Sequence, residues 1–221
     1  MLKYKCLVLD HDDTVVMSEE TVHYPCFCAF LRQYRPGVAY SFSEYLQDCN
    51  SMPFVQMCRE RFSMSEEEMH QEYLFWKQYI RTHIPQPFAG MDAFLHRYRE
   101  CGGTICVVSM SEQDHILRDY RLHFQMEPDA VFGYELPADK RKPSTYALEQ
   151  IQERFGFSAK EMLVVDDMRL ACEMAQSFGS PIAFAGWGRQ GFDNICNQMR
   201  SLCDFSFLSL EDFSNFIFSE V

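Results

Sequence analysis

The stretch Lys5–Met17, KCLVLDHDDTVVM, decides how the rest of the chain is read. Cys6–Leu9 suit a buried strand, and they run straight into Asp10, Asp12 and Asp13. Carboxylates crowded at the tip of an apolar strand repel one another and resist leaving water. Such an ending calls for a compensating cation or for a chemical task that needs the acids.

Working outward, the chain beyond residue 100 alternates short apolar runs with helical periodicity. TICVVS (104–109), AVFGY (130–134), MLVVDD (162–167) and PIAFAG (181–186) read as strands, with helices over roughly 112–122, 144–155, 169–178 and 191–200. That alternation predicts a parallel sheet with crossover helices, joined by CLVLD as a further strand. The near-continuous apolar character of CLVL and ICVV fits strands covered on both faces. Residues 18 to about 100 carry only helical stretches, over roughly 19–34, 41–49, 53–62, 65–82 and 89–101. Ser65–Glu68 forms a capping box there, Met69, Tyr73, Trp76 and Ile80 make a packing stripe, and Pro36-Gly37, Pro53 and Pro85-Gln86-Pro87 punctuate the helices. The expected fold class is α/β: a Rossmann-like parallel-sheet core from residues 1–16 and 101–221, with an inserted all-helical domain over 17–100.

Composition narrows the partners. A chain of 221 residues with 47% hydrophobic content can bury a substantial core. A net charge of −12 and the lack of any basic run argue against nucleic acid. No apolar run approaches a membrane span, and the N-terminal sequence turns acidic where a signal peptide would need its cleavage site, so a soluble cytoplasmic protein is expected. The ten cysteines are scattered, and Cys6 and Cys106 fall inside predicted strands, which points to reduced, mostly buried thiols. Cys26 and Cys28 lack the second pair that a zinc site requires.

Ligands of open parallel sheets bind at the carboxyl ends of the strands. The first strand ends in Asp10-His11-Asp12-Asp13-Thr14, the second in Ser109 followed by Met110 and Ser111, and the fourth in Asp166-Asp167. Between the third and fourth lies DKRKPS, with Lys142-Pro143 opening a helix. Each piece alone has a plainer reading. Asp12-Asp13 suits a turn, Ser109 a helix cap, Ser111 with Asp114 another cap, Lys142 a solvated surface, and Asp166-Asp167 the cap of the next helix. A lone His11 or His23 is ordinarily structural.

Taken in order, Asp10/Asp12/Thr14, Ser109, Lys142 and Asp166/Asp167 resemble the four motifs of the haloacid dehalogenase superfamily. PFAGMDAFLHRYRECGG and LACEMAQSFG are similar to its phosphoglycolate phosphatase and β-phosphoglucomutase branch. The resemblance spans about residues 3–188, and more loosely DFSFLSLEDF. It implies a helical cap between motifs one and two and a phosphatase acting on small phosphorylated metabolites. Asp10 would be the nucleophile and Asp12 the general acid and base. Ser109, Lys142 and the backbone at Met110 would hold the phosphoryl group. Magnesium would take Asp10, the Asp12 carbonyl and Asp167, with Asp166 a ligand through water or the partner that orients Lys142. The branch is commonly monomeric or homodimeric.

Departures from the pattern are equally specific. Asp13 stands where the family usually has glycine, Met17 where it often has an acid, and Leu170-Ala171 where a further polar residue is common. DCNSMPF (48–54) lacks the pattern of the sugar-phosphate mutases. Arg32, Arg59 and Lys77 are candidate cap contacts, though surface charge is their plainer reading. Two alternatives stay open: a phosphomutase, and a non-catalytic binding module with the same fold.

Overall fold

The computed structural model describes residues 2–219. Six strands, β1 (Cys6–Leu9), β2 (Thr104–Val108), β3 (Ala130–Phe132), β4 (Met162–Asp166), β5 (Ile182–Ala185) and β6 (Phe205–Phe207), pair in the order β3-β2-β1-β4-β5-β6. Every pairing is parallel, giving an α/β core of the doubly wound type. Helices α1 (Tyr24–Tyr34), α2 (Phe42–Ser51), α3 (Phe54–Phe62) and α4 (Glu66–Tyr79) lie between β1 and β2, with α5 (Met91–Glu100) following them. The later helices are α6 (Gln113–Phe124), α7 (Tyr146–Phe155), α8 (Arg169–Phe178), α9 (Asp193–Leu202) and α10 (Leu210–Phe218).

Side chains alternate across the strands, and the alternation builds the core. Leu7 and Leu9, Ile105 and Val107, and Leu163 and Val165 point to one face, where they meet Phe94 and Tyr98 of α5, Ile116 and Tyr120 of α6 and Phe213 of α10. Cys6 and Cys106 belong to the other set, and their sulfurs approach to 3.8 Å. Strand β1 is central, wholly buried and flanked by β2 and β4, as its unbroken apolar run demands. All ten cysteines carry free thiols, and six of them are buried.

The chain divides into two units: one runs up to Met17 and resumes at Gln86, the other is Ser18–Pro85. The helix at Met91–Glu100 therefore goes with the sheet, although the sequence reading put it in the inserted block. Its apolar face explains the difference, because Met91, Phe94, Leu95 and Tyr98 all enter the core beside the sheet. Backbone bonds Met17 N to Gln86 O (2.8 Å) and Phe88 N to Val15 O (3.2 Å) close the base of the insertion.

The helical unit holds itself together locally. Ser41–Glu44 and Ser65–Glu68 both form reciprocal capping boxes. Arg61 grips Asp48 with two hydrogen bonds of 2.8 Å, and Tyr40 donates to the same carboxylate. Of the expected packing stripe, Met69, Tyr73 and Trp76 are half-buried and Ile80, just past α4, is buried, while within the helix the buried residue is Glu72. Burial pushes the Glu72 carboxyl up to about 7, against the pull of His23. Trp76 Nε1 in turn donates to His23 Nδ1 at 3.0 Å.

Two elements lie beyond the expected set, β6 and α10. Three half-buried residues, Phe205–Phe207, are too short a run to stand out as a strand. Helix α10 is capped by Ser209, whose hydroxyl accepts from Asp212 N at 3.1 Å, and it inserts Phe213 between Trp187, Phe94 and Phe207. Among the described residues no helix is long and apolar enough to cross a membrane. Because Phe213 is 1% exposed within this aromatic cluster, Phe213→Ala is expected to cost about 3–5 kcal/mol, read from urea unfolding. A loss under about 1 kcal/mol would show that α10 is peripheral to the core.

Candidate active site

Register brings the acids together. Leu9 pairs with Val107 on one side and Val165 on the other, so Asp10 emerges beside the end of β4 and one step short of Ser109. Asp10 N extends the ladder by donating to Val165 O at 2.9 Å. The chain then turns sharply, with Val15 N and Val16 N both bonded to His11 O. Asp13 takes the left-handed conformation at φ 49°, a backbone that aspartate tolerates better than most residues and glycine better still. Ligand-capable oxygens of Asp10, Asp166 and Asp167 all lie within 4.8 Å of one another, and all three residues are buried.

Lys142 reaches into this cluster. Its ammonium donates to Asp10 Oδ1 at 2.6 Å and to Asp166 Oδ2 at 2.5 Å, and its side chain is 4% exposed. Asp166 Oδ1 accepts from Met168 N at 2.8 Å, so both of its carboxylate oxygens are engaged in hydrogen bonds. Pro143 does not open the following helix: a turn closed by Ser144 N to Arg141 O intervenes, and α7 begins at Tyr146. The neighbouring cations are committed elsewhere, Arg141 against the Tyr134 ring and Lys140 over Tyr146.

The end of β2 supplies hydroxyls. Ser109 is buried, and its Oγ accepts from Ser111 N at 3.2 Å. Met110 beside it is 42% exposed. Ser111, read from sequence as a helix cap, instead donates its hydroxyl to Asp12 Oδ2 at 2.5 Å. The start of α6 is capped by Glu135, whose carboxylate accepts from Gln113 N at 2.9 Å. Gly133 permits this, since a Cβ there would lie 2.8 Å from both Gln113 N and Ser111 O. His11 turns toward α6, with Nε2 at 3.1 Å from Asp119 Oδ2, and His23 belongs to the helical unit.

A second cation, absent from the sequence reading, lies at this rim. Arg189 is 2% exposed in the turn after β5; its Nη1 donates to Asp13 Oδ2 and its Nη2 pairs with Asp167 Oδ2. Nothing local in AFAGWGRQG marks that arginine as buried, because its partners are distant in sequence. In the helical unit Arg59 pairs with Glu66 at 2.7 Å, Lys77 lies 5.8 Å from the Tyr73 ring centroid, and Arg32 is exposed.

Charge bookkeeping shows what the cluster lacks. Four buried carboxylates, Asp10, Asp13, Asp166 and Asp167, face two buried cations, Lys142 and Arg189. Burial pushes Asp10 up to about 7 despite Lys142, with Asp166 and Asp12 adding repulsion. Burial likewise raises Asp167 well above the carboxylate range against the pull of Arg189, with Asp166, Asp10 and Asp13 repelling it. Burial disfavours the Lys142 ammonium, yet Asp10 and Asp166 outweigh it and hold its pKa above the ordinary lysine value. Two acids are thus pushed toward protonation where buried carboxylates outnumber buried cations. An all-oxygen donor set of this charge fits a hard divalent cation such as Mg2+, and Asp10 and Asp167 are the carboxylates that would hold it.

The sequence from residue 7 to residue 185 matches the model of the haloacid dehalogenase-like hydrolases. The chain belongs to that family. Solved structures agree on the fold of these haloacid dehalogenase-like proteins. One from Bacteroides fragilis, assigned to the haloacid dehalogenase-like hydrolases, superposes with a TM-score of 0.80 at 15% identity, covering 96% of this chain and 100% of its own. A Lactobacillus plantarum protein assigned as a phosphoglycolate phosphatase gives 0.79 at 16% identity, over 96% and 98%. CbbY from Rhodobacter sphaeroides, solved in complex with phosphate, gives 0.68 at 12% identity, over 95% of each chain. Among curated proteins none matches this sequence. The chain is therefore a haloacid dehalogenase-like hydrolase.

The raised carboxyls set a pH dependence for the metal-free protein. An acid whose pKa is higher folded than unfolded binds its proton more tightly in the native state, so its contribution is full at low pH. For Asp10 that contribution fades as pH rises from about 4, the ordinary aspartate value, through about 7. Asp167 acts in the same direction. Thermal denaturation in chelator should show Tm falling from about pH 5 to about pH 8, with Mg2+ restoring more at the higher pH. A Tm that climbs over that range in chelator would contradict the charge assignment.

Proposed function

We propose that this hydrolase is a magnesium-dependent phosphatase of small phosphorylated metabolites, working through an aspartyl-phosphate on Asp10. The observation that carries the reading is the pairing of buried Asp10 with Lys142 at 2.6 Å, beside two further acids with too few cations to neutralise them. A transferring phosphoryl group spreads charge over its oxygens and needs positioning and cations more than covalent chemistry. Bound Mg2+ would neutralise phosphoryl charge between Asp10, the Asp12 carbonyl and Asp167.

In the proposed sequence an Asp10 carboxylate oxygen attacks phosphorus, and the bond from phosphorus to the ester oxygen breaks. Asp12 gives its proton to the departing alkoxide, which leaves as an alcohol. Asp12 then takes a proton from water, whose oxygen attacks the same phosphorus. Inorganic phosphate leaves and the Asp10 carboxylate is regenerated. The Ser111 hydroxyl at 2.5 Å holds Asp12 in reach of that role. Lys142 and Ser109 would hold the phosphoryl oxygens, with the backbone N–H of Met110 beside them. Asp166 would act through Lys142. We assign substrate choice to the inserted helical unit, which would serve as the cap. Chemistry at Asp10 would be shared by a phosphomutase, which differs only in presenting a second substrate hydroxyl in place of water.

An aryl phosphate with and without Mg2+ provides the first assay. Asp10→Asn is expected to abolish turnover, and Asp12→Asn to lower kcat by about 10²–10⁴-fold, the usual weight of a general acid and base. Unchanged hydrolysis in Asp10→Asn would sink the mechanism. A screen of phosphorylated metabolites then separates phosphatase, which releases inorganic phosphate, from mutase, which returns an isomeric phosphate ester. Failure to act on any phosphate ester would favour a binding module.

A further inference from the structure

Asp13 and Arg189 are built as a unit around the acid cluster. The turn Gly186–Arg189 is sewn to the loop after β1 by Trp187 Nε1 donating to Thr14 O at 3.0 Å. Gly188 lets the two backbones touch, for a Cβ there would fall 2.1 Å from Asp13 O. Cys196 Sγ of α9 holds Arg189 O at 3.3 Å from behind. So fixed, the Arg189 guanidinium has one arm on Asp13 and the other on Asp167, and it is among the largest fully buried side chains of the molecule. A planar guanidinium can bridge two carboxylates in this way and keeps its charge when buried.

We propose that Arg189, neutralised by Asp13, is a positioning residue that holds Asp167 for the divalent-cation site without changing the net charge of that site. It holds one oxygen of Asp167 and, paired with Asp13, leaves the excess of carboxylates over cations at the site unchanged. The inference rests on the cation site described above and deepens it. If Arg189 were alone, its full positive charge would oppose a metal at Asp167. If Asp13 were alone, a further buried carboxylate would lack a partner. The pair adds no net charge, yet restrains Asp167.

The decisive variant is Asp13→Gly, because glycine at φ 49° adds no backbone strain and the fold should be kept. Calorimetric titration of Mg2+ into the metal-free protein reads the result without any turnover. With Arg189 no longer neutralised, the Mg2+ dissociation constant should rise by about tenfold or more, as expected for one unscreened charge within a few ångströms of a divalent ion. Arg189→Gln should shift it the opposite way while lowering the metal-free Tm. The double variant Asp13→Gly/Arg189→Gln should return the constant to within about threefold of wild type, the sign of coupling between neighbours. Wild-type binding with a constant unmoved in Asp13→Gly overturns the inference alone, since a purely structural pair would behave so. Weakening in both single variants also overturns it. A wild-type protein that binds no Mg2+ removes the cation site itself, and the inference with it.

Discussion

The Lys142 ammonium lies between Asp10 Oδ1 and Asp166 Oδ2, at 2.6 and 2.5 Å, with almost no exposure to solvent. Two carboxylates from neighbouring strand ends could not be buried side by side without it, because the desolvation of each charge exceeds anything their own surroundings return. The cost is met only because Lys142 is delivered by a separate segment, the turn between β3 and α7. This contact therefore ties the central strand, β4 and the connection before α7 into one arrangement. Breaking it by removing the ammonium would leave uncompensated buried acid, a larger penalty than the pair itself is worth.

The sheet makes that meeting possible. Parallel pairing puts every strand's carboxyl end on one rim, and the register Leu9↔Val165 sets Asp10 against the end of β4 within a single residue step. A slip of one residue would send Asp10 to the opposite face and bring an apolar neighbour to the rim. The register is in turn locked by side chains such as Leu7, Leu9, Leu163 and Val165, which are buried completely on one face. The geometry of the acid rim and the packing of the core are therefore the same constraint seen at two ends of a strand.

Electrostatics then sorts the acids by partner rather than by type. Asp166 has Lys142 and a backbone N–H, Asp12 has the Ser111 hydroxyl, and Asp13 has Arg189. Asp10 shares Lys142 with Asp166, and Asp167 shares Arg189 with Asp13, and burial raises the pKa values of both against those cations. In the proposed function these two raised acids are the ones that would take a cation, with Asp10 also taking the phosphoryl group. The same physics acts in the helical unit, where Asp48 is satisfied by Arg61 and Tyr40 while Glu72 is pushed toward neutrality.

Much of this was legible in the residues. Uninterrupted apolar runs ending in acids identified β1 and β4, periodicity identified α6 to α9, and the order of Asp10, Ser109, Lys142 and Asp167 identified the rim. These are local patterns or patterns in sequence order, and burial on both faces of a strand writes them plainly. Other features depended on which distant groups meet. Whether the helix at Met91–Glu100 served the sheet or the insertion turned on the partner of its apolar face, which periodicity does not name. Ser111 looked like a cap until Glu135 proved to hold that place. Arg189 looked like any charge in a glycine-rich turn. Hydrophobic patterning determined the strands and their acid-bearing ends, and the ordered motifs carried the resemblance to the family, because each is read along the chain. Only the tertiary structure decided which charge neutralises which, because that depends on distances between residues as far apart as Asp13 and Arg189.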